Sequence, residues 1–384
     1  MLQTEPSQQT MGADNPLLTP QQLRWLSKAR AFAQQISLAE TIRADSENTF
    51  RRDLFESACK EGFGALPFPT QYGGSGGDYL SFALVNEEFA RRCVPIMSSL
   101  GVHVLCQEPV YRFGSDEQKE KYLVPSSCGR YLAAFGLTEP AAGSDTAALE
   151  TSARLVGDEY ILNGTKTFIT SGGSADYYIV MAKLVGSDDG ITAFIVERSF
   201  AGFEIGQKFD MLGMRGYATC EIVMNDCKVP KANLLGQHGW GRKVALSSLA
   251  KGRVTIAAQA TGWAQGALDG AIDCIRKESD AKQCQFYGFI GELSLSLEGA
   301  RALTYQAARN IDRGDMDATM ASMAKTQATD AAMKIATEAI SIAGLAGMNP
   351  DLLLERIFRD AKAGQIYEGT NQIQRMLIAR QLFK

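Results

Sequence analysis

The sequence predicts an α+β chain of three units: an N-terminal all-α domain, a small β-barrel or sandwich, and a C-terminal four-helix bundle. Three observations predict it. From Thr19 to about Cys128, apolar residues recur at helical spacing. Near Tyr131 the texture changes to short β-rich runs separated by Gly, Ser and Asp. From Gly241 the chain is helical again, alanine-rich and nearly free of proline, which is the composition of a bundle. The expected boundaries are 1–18 for a flexible N-terminal segment, then 19–130, 131–240 and 241–384. A length of 384 residues suits two or three packed units.

Taken in order, Thr19-Pro20 reads as an N-cap followed by proline at the first helical position. Phe50 to Phe63 carries a helix-period stripe ending at Gly62 and Gly64. The glycine-rich stretch Tyr72–Asp78 is expected to be a loop between helices, because phosphate-cradling glycine loops sit between a strand and a helix. Tyr79 to Cys93 and Val94 to Phe113 read as buried helices, and Ser115–Gln118 as a capping box opening another. Asn163-Gly164, between two β-rich runs, predicts a hairpin turn. Tyr177–Ala182, Ile191–Glu197 and Glu221–Met224 are expected strands. Four bundle helices are expected at Val244–Lys277, Phe289–Arg313, Asp317–Ala343 and Ile366–Leu382.

Composition excludes several classes. A net charge of -4 offers no basic footprint for nucleic acid. No apolar run reaches the roughly 18 residues that span a bilayer, and the opening stretch lacks the apolar core of a secretory signal. The 8 cysteines show no CxxC pair, so buried free thiols in a reducing cytoplasm are expected. With only His103 and His238 present, no metal centre is expected and a Ser-His-Asp triad is disfavoured. No GxGxxG follows a strand and opens a helix, which disfavours a nicotinamide enzyme.

Three stretches carry chemistry. Phe135–Asp145 places the Thr138 and Ser144 hydroxyls and the Gly143 amide around one turn fixed by Pro140, a cluster suited to a ligand rich in acceptors. In Lys166–Gly173, Phe168 and Thr170 would share a strand face. One could then stack on a planar ring while the other bonds its edge. Near the C-terminus, Glu368 lies between Tyr367 and Gly369, where glycine lets a substrate approach the backbone closely. Thr370 and Gln372 offer a hydroxyl and an amide to a polar cofactor edge. Alone, Glu368 reads equally as a glutamate at the start of a surface helix, where the macrodipole favours negative charge.

These pieces, with Gln71–Asp78, Asn163–Thr170, Gly252-Arg253 and Phe358–Ala361 leading into Ile366–Gln374, stand in the order found in the acyl-CoA dehydrogenase family. The chain resembles that family from about Gln22 to Arg380. The resemblance implies FAD-dependent α,β-dehydrogenation of an acyl thioester carried on CoA or an acyl-carrier protein. It implies that Phe135, Leu137, Thr138, Phe168, Ile169 and Thr170 line the flavin. Thr370 and Gln372 would reach the cofactor from the C-terminal side, and Gly344 belongs to the same cofactor set. Ser144 and Arg253 would hold the thioester's arm, Ser144 also touching the cofactor, with Tyr367 and Gly369 beside the substrate. Glu368 would take the α-proton while its own N–H bonds the thioester carbonyl, and the β-hydride would pass to flavin N5.

Further implications are a homodimer or homotetramer and an electron acceptor of the electron-transfer-flavoprotein kind. An enoyl-thioester reductase, an acyl-CoA oxidase, or a non-catalytic scaffold on the same fold are the alternatives. The chain differs from the family pattern at Arg276–Phe286, a shortened connection, at Ser341–Gly347, and at Ala250, where an acidic residue is common. Looser FAD retention is expected from the first two. With Ala250, the basic Arg242, Lys243 and Lys251 read either as ordinary solvated side chains or as a surface complementary to an acidic carrier protein.

Overall fold

The computed structural model describes residues 17–187 and 190–383. The expected flexible segment, apart from Leu17 and Leu18, lies outside the described residues. The first unit holds α1 (Pro20–Gln34), α2 (Leu38–Ser46), α3 (Arg52–Lys60), α4 (Tyr79–Arg91), α5 (Met97–Phe113) and α6 (Asp116–Ser127). Local chemistry starts them where the sequence says. Thr19 Oγ1 accepts from the Gln22 N–H at 3.3 Å while Gln22 Oε1 accepts from the Thr19 N–H at 2.8 Å. Ser115 and Gln118 make the same reciprocal cap on α6. The Tyr72–Asp78 stretch is indeed a loop between helices, and Asp78 caps α4 through the Ser81 N–H at 2.7 Å.

The middle unit holds β1 (Ala133–Gly136), β2 (Ser152–Val156), β3 (Glu159–Ile169), β4 (Tyr177–Leu184), β5 (Ile191–Glu197), β6 (Phe203–Lys208), β7 (Cys220–Pro230) and β8 (Leu234–Leu235). They form one eight-stranded sheet in the order β6-β7-β3-β2-β4-β5-β8, with β1 parallel to β4. The hairpin expected at Asn163-Gly164 is absent: both residues lie inside β3, where the register against β7 shifts. Asn163 is held there by Asp226, donating Nδ2–H to Oδ1 at 3.0 Å and accepting from the Asp226 N–H at 2.8 Å. Gly164 is required by its neighbour, since a Cβ would fall 2.5 Å from Thr151 Oγ1. The pair marks a bulge rather than a turn. β2 and β3 instead turn at Gly157, whose φ is +61°.

The C-terminal unit holds α7 (Gly241–Ile275), the short α8 (Asp280–Gln283), α9 (Tyr287–Asp312), α10 (Ala318–Ala343), α11 (Leu354–Gly364) and α12 (Asn371–Leu382). The four expected helices become five long ones among the described residues. α11 was hidden because its buried face includes Arg356 and Asp360, an ion pair at 3.4 Å, which breaks the apolar period. The expected helix Ile366–Leu382 begins only at Asn371, capped by Thr370 Oγ1. The longest, α7, is the spine. Gly262 and Gly266 let α4 cross it backbone to backbone: a Cβ on Gly262 would lie 2.1 Å from the Glu87 carbonyl, and one on Gly266 2.4 Å from that of Arg91. Each glycine costs about 1 kcal/mol of helix propensity, offset by the fully buried Trp263 between them.

The segment Ala318–Met348 is long and apolar enough to cross a bilayer, with a mean hydropathy of 1.2. It is interrupted at Gly344, and in the fold α10 packs between α7, α9, α11 and α12. The cysteines are all free, but not all buried: Cys128 and Cys284 are exposed and Cys274 is partly so.

Candidate active site

All three units converge on one cavity of about 680 Å³. One face of α7 runs along it, supplying Arg242, Leu246, Leu249, Gly252, Arg253, Ile256 and Gln259 at three- and four-residue intervals. At 1.5 Å per residue that stripe is about 25 Å long. Ser98, Gly101, Val102 and Leu105 of α5 and Tyr367 close the buried end, while Ser144, Asp145, Arg242 and Arg380 stand at an exposed rim.

Of the residues singled out in the sequence, Phe135, Leu137, Thr138, Ser144, Phe168, Ile169, Thr170, Arg253, Tyr367, Glu368 and Gly369 all line this cavity. Thr370, Gln372 and Gly344 do not. Thr370 spends its hydroxyl capping α12, Gln372 faces solvent, and Gly344 lies exposed at the end of α10. Phe168 and Thr170 meet the cavity by a different geometry from strand alternation. Phe168 has a φ of +55° at a second β3 bulge, which turns its ring outward against Phe209, the two stacked at 4.6 Å.

The wall beneath them is built from a buried ion pair. Lys166 Nζ donates to Glu139 Oε1 at 2.6 Å and to the Leu137 carbonyl at 3.2 Å. Glu139 also accepts from the Glu150 N–H at 2.6 Å and from Thr151 Oγ1 at 2.5 Å. Burial pushes the Glu139 carboxyl up, but these donors more than offset it and hold it below its ordinary value. Burial pulls Lys166 down to about 8 despite Glu139. The Thr167 N–H then bonds the Thr138 carbonyl at 2.9 Å, joining the two motif stretches into one surface. The Thr138 and Thr170 hydroxyls have no partner among the described residues. An apolar ring face flanked by free hydroxyls fits a planar, acceptor-edged group such as a flavin.

Glu368 sits in neither helix, contrary to the surface-helix alternative. It occupies the turn between α11 and α12, with a φ of +55° followed by +87° at Gly369. Its Oε2 is buried without a hydrogen-bond partner. Gly252 makes the space: a Cβ there would stand 2.8 Å from that oxygen and 2.6 Å from Leu105 Cδ1. Burial pushes the Glu368 carboxyl up to about 7, restrained by Arg253 and Lys325. The Glu368 N–H also lacks an acceptor among the described residues.

Sequence reading missed Gln259, fully buried at the closed end, where its Nε2 donates to Asn86 Oδ1 at 2.9 Å. It missed Arg380 as a rim residue and the buried Lys325 altogether. A polar residue in an alanine-rich helix gives no periodic signal that separates core from solvent face. Lys251, a candidate for a carrier-protein surface, pairs with Glu108 at 2.8 Å, and Lys243 lies over the Trp240 ring at 3.9 Å.

An ionisable carboxylate with a free oxygen, a free N–H beside it and a hydroxyl-edged aromatic wall define a site for removing a proton from carbon next to a planar cofactor. The chain belongs to the acyl-CoA dehydrogenase family. The N-terminal, middle and C-terminal domains of acyl-CoA dehydrogenase match residues 19–129, 134–227 and 239–383. An acyl-CoA dehydrogenase of Bacillus subtilis (strain 168) is 40% identical over 374 residues, covering 95% of this chain and 98% of that protein. The solved structure of butyryl-CoA dehydrogenase from Megasphaera elsdenii superposes with a TM-score of 0.91 at 38% identity, covering 96% and 99% of the two chains. A chain in a structure of the electron transferring flavoprotein of Acidaminococcus fermentans, solved in work on flavin-based electron bifurcation, superposes with a TM-score of 0.92 at 39% identity, covering 96% and 99%.

Proposed function

We propose that this chain is an FAD-dependent dehydrogenase of short acyl-CoA thioesters in which Glu368 takes the α-proton. The single observation that carries the reading is the buried, unpartnered Glu368 oxygen beside Gly252. A carboxylate that burial raises to about 7 can both take a proton and hold it near neutral pH. The neighbouring Glu368 N–H is free to bond the thioester carbonyl and stabilise charge developing there. Leu137, Thr138, Phe168 and Thr170 would hold the isoalloxazine ring of FAD, the family's cofactor. When bound, FAD supplies the acceptor for the hydride leaving the β-carbon.

The short-chain assignment rests on the closed end. Gln259 lies seven residues beyond Gly252 on α7, roughly 10 Å further along. Its bond to Asn86 and its approach from the Tyr367 hydroxyl at 3.5 Å bar the way deeper. The Megasphaera butyryl-CoA enzyme supports the same reading. Free CoA is favoured over a carrier protein, since Lys251 is already paired. Arg242 and Arg380 at the rim, with Ser144, suit an anionic nucleotide arm. An electron-transfer flavoprotein is the proposed acceptor, from the likeness to the Acidaminococcus chain, and a reducing cytoplasm suits the free thiols.

A second copy of the chain is proposed to cover the bundle end, where Leu345 is 93% and Met348 64% exposed beside Gly344. Sedimentation of the FAD-loaded protein as a monomer alone at micromolar concentration would dismiss that assembly. The test of function is anaerobic bleaching of the bound flavin by butyryl-, octanoyl- and palmitoyl-CoA, and by a butyryl-carrier protein. Butyryl-CoA is expected to reduce the flavin fastest. No bleaching by any thioester would sink the activity, and equal rates with palmitoyl-CoA would sink the chain-length assignment alone.

A further inference from the structure

The turn that carries Glu368 rests on a buried lysine. Lys325, on α10, is fully buried and does not line the cavity. Its Nζ donates to the Gly369 carbonyl at 2.9 Å and to Asn371 Oδ1 at 2.8 Å. The turn needs support, because a non-glycine residue held at left-handed φ costs about 1–3 kcal/mol. Yet the carbonyls of the turn do not depend on a charged donor. The Gly369 carbonyl also accepts from Gln374 Nε2 at 3.1 Å, which bridges to the Glu368 carbonyl at 3.1 Å. Asn371 is tied to Thr329 as well, donating Nδ2–H to its hydroxyl oxygen at 2.9 Å.

Burying an ammonium costs far more than burying an amide, so hydrogen bonding alone does not account for a lysine here. What distinguishes it is charge, one residue from the carboxylate. The titratable groups around Glu368 are Arg253 on α7, Tyr79 on α4, Cys106 on α5, Tyr367 on its own turn, and Lys325. Of these only Arg253 and Lys325 are cations. Asp330 and Arg375, themselves paired, also act on Lys325. Arg253 belongs to the cavity wall, where a substrate would reach it. Lys325 acts from behind the backbone and leaves the carboxylate oxygen free.

We propose that Lys325 is a positioning residue for proton abstraction: it clamps the left-handed Glu368–Gly369 turn and, by its charge, keeps Glu368 ionised without occupying the oxygen that takes the proton. This rests on Glu368 being the base. The direction is fixed: a nearby positive charge favours the carboxylate, so its removal moves Glu368 titration to higher pH.

The experiment compares FAD-loaded parent, Lys325→Met and Lys325→Arg. Methionine removes the charge while the Gly369 carbonyl keeps its bond from Gln374, and Lys325→Gln serves for the same readout if the methionine variant does not accumulate. Two quantities are measured across pH: the Glu368 carboxyl stretch in infrared difference spectra, identified by its loss in Glu368→Gln, and the rate of flavin reduction by butyryl-CoA. For Lys325→Met the infrared midpoint and the acid limb of the rate should both rise by roughly one pH unit, about tenfold in rate on that limb. Lys325→Arg should keep both midpoints while lowering the plateau rate through poorer clamping. An infrared midpoint that stays with the parent's in the charge-free variant overturns the proposal, whatever its rate. A Glu368→Gln protein that reduces flavin at the parental rate would instead remove the base assignment, while the infrared midpoint still reports on Lys325.

Discussion

Two buried lysine–glutamate arrangements adjoin the cavity, one in the β domain and one in the bundle, and they are built to opposite ends. In the β domain Lys166 touches Glu139 at 2.6 Å, and backbone and hydroxyl donors bring further bonds to the carboxylate. Glu139 is therefore held ionised and has no use for a proton. At the bundle, Lys325 and Arg253 lie near Glu368 without forming an ion pair with it among the described residues, and one carboxylate oxygen is left bare. Contact satisfies a carboxylate, whereas charge at one remove keeps it ionisable and reactive. The first arrangement fixes the wall where a flavin would lie; the second keeps a base in play at the closed end.

The largest effect should come from removing the bare carboxylate's chemistry. Glu368→Gln is nearly isosteric but cannot accept the α-proton. Flavin reduction by butyryl-CoA should fall by about 10²–10⁴-fold or more, with flavin content unchanged. Stopped-flow reduction within threefold of the parent would assign the base elsewhere.

The satisfied pair should answer through stability instead. Lys166→Met strands the Glu139 charge in a dry interior, which typically costs about 3–5 kcal/mol. Chemical denaturation should show that loss, and flavin should dissociate more readily because the Leu137 carbonyl loses its support. Adding Glu139→Leu to Lys166→Met should recover much of the loss, since a buried pair replaced by apolar side chains is often neutral. A double variant as weak as the single one would mean the pair contributes through its hydrogen bonds to the loop, not through charge balance.

Much of this was legible in the sequence, and the gaps share a cause. The caps at Thr19 and Ser115, the glycine loop before α4, and the three textures along the chain are local signals, and they survived folding. Eleven of the residues named from motifs meet in one cavity because the motifs are the cavity's walls. The misread places were those where a distant partner overrode a local signal. Asn163-Gly164 has the dipeptide of a tight turn, but Asp226 holds it in a strand. Ile366–Thr370 continues a helical stripe, yet Lys325 and Gln374, on two different helices, bond the carbonyls of a left-handed turn instead. Buried charge was hardest to see: nothing local in the sequence marks Lys325, Arg356 and Asp360 as buried.

The smallest expected effect sharpens the comparison most, because it predicts opposite signs for the two carboxylates. Glu368 titrates higher folded, at about 7, than its ordinary value of 4.5. Its contribution to stability is therefore fully present below about pH 4.5 and lost as pH rises through 7. At pH 8 the folded chain buries a carboxylate that the unfolded chain would leave in water. Glu368→Gln should then be more stable than the parent by about 1–3 kcal/mol at pH 8, an advantage that shrinks as pH falls and is gone by about pH 4. Glu139 is held below its ordinary value, so its contribution is present above that value and lost as pH falls. Glu139→Gln should weaken the fold, more at pH 8 than at low pH. Urea denaturation of FAD-loaded protein without substrate, run at several pH values, checks both. If Glu368→Gln weakens the fold at pH 8 as Glu139→Gln does, the Glu368 carboxylate is held by a partner in solution and the contrast between the two walls fails.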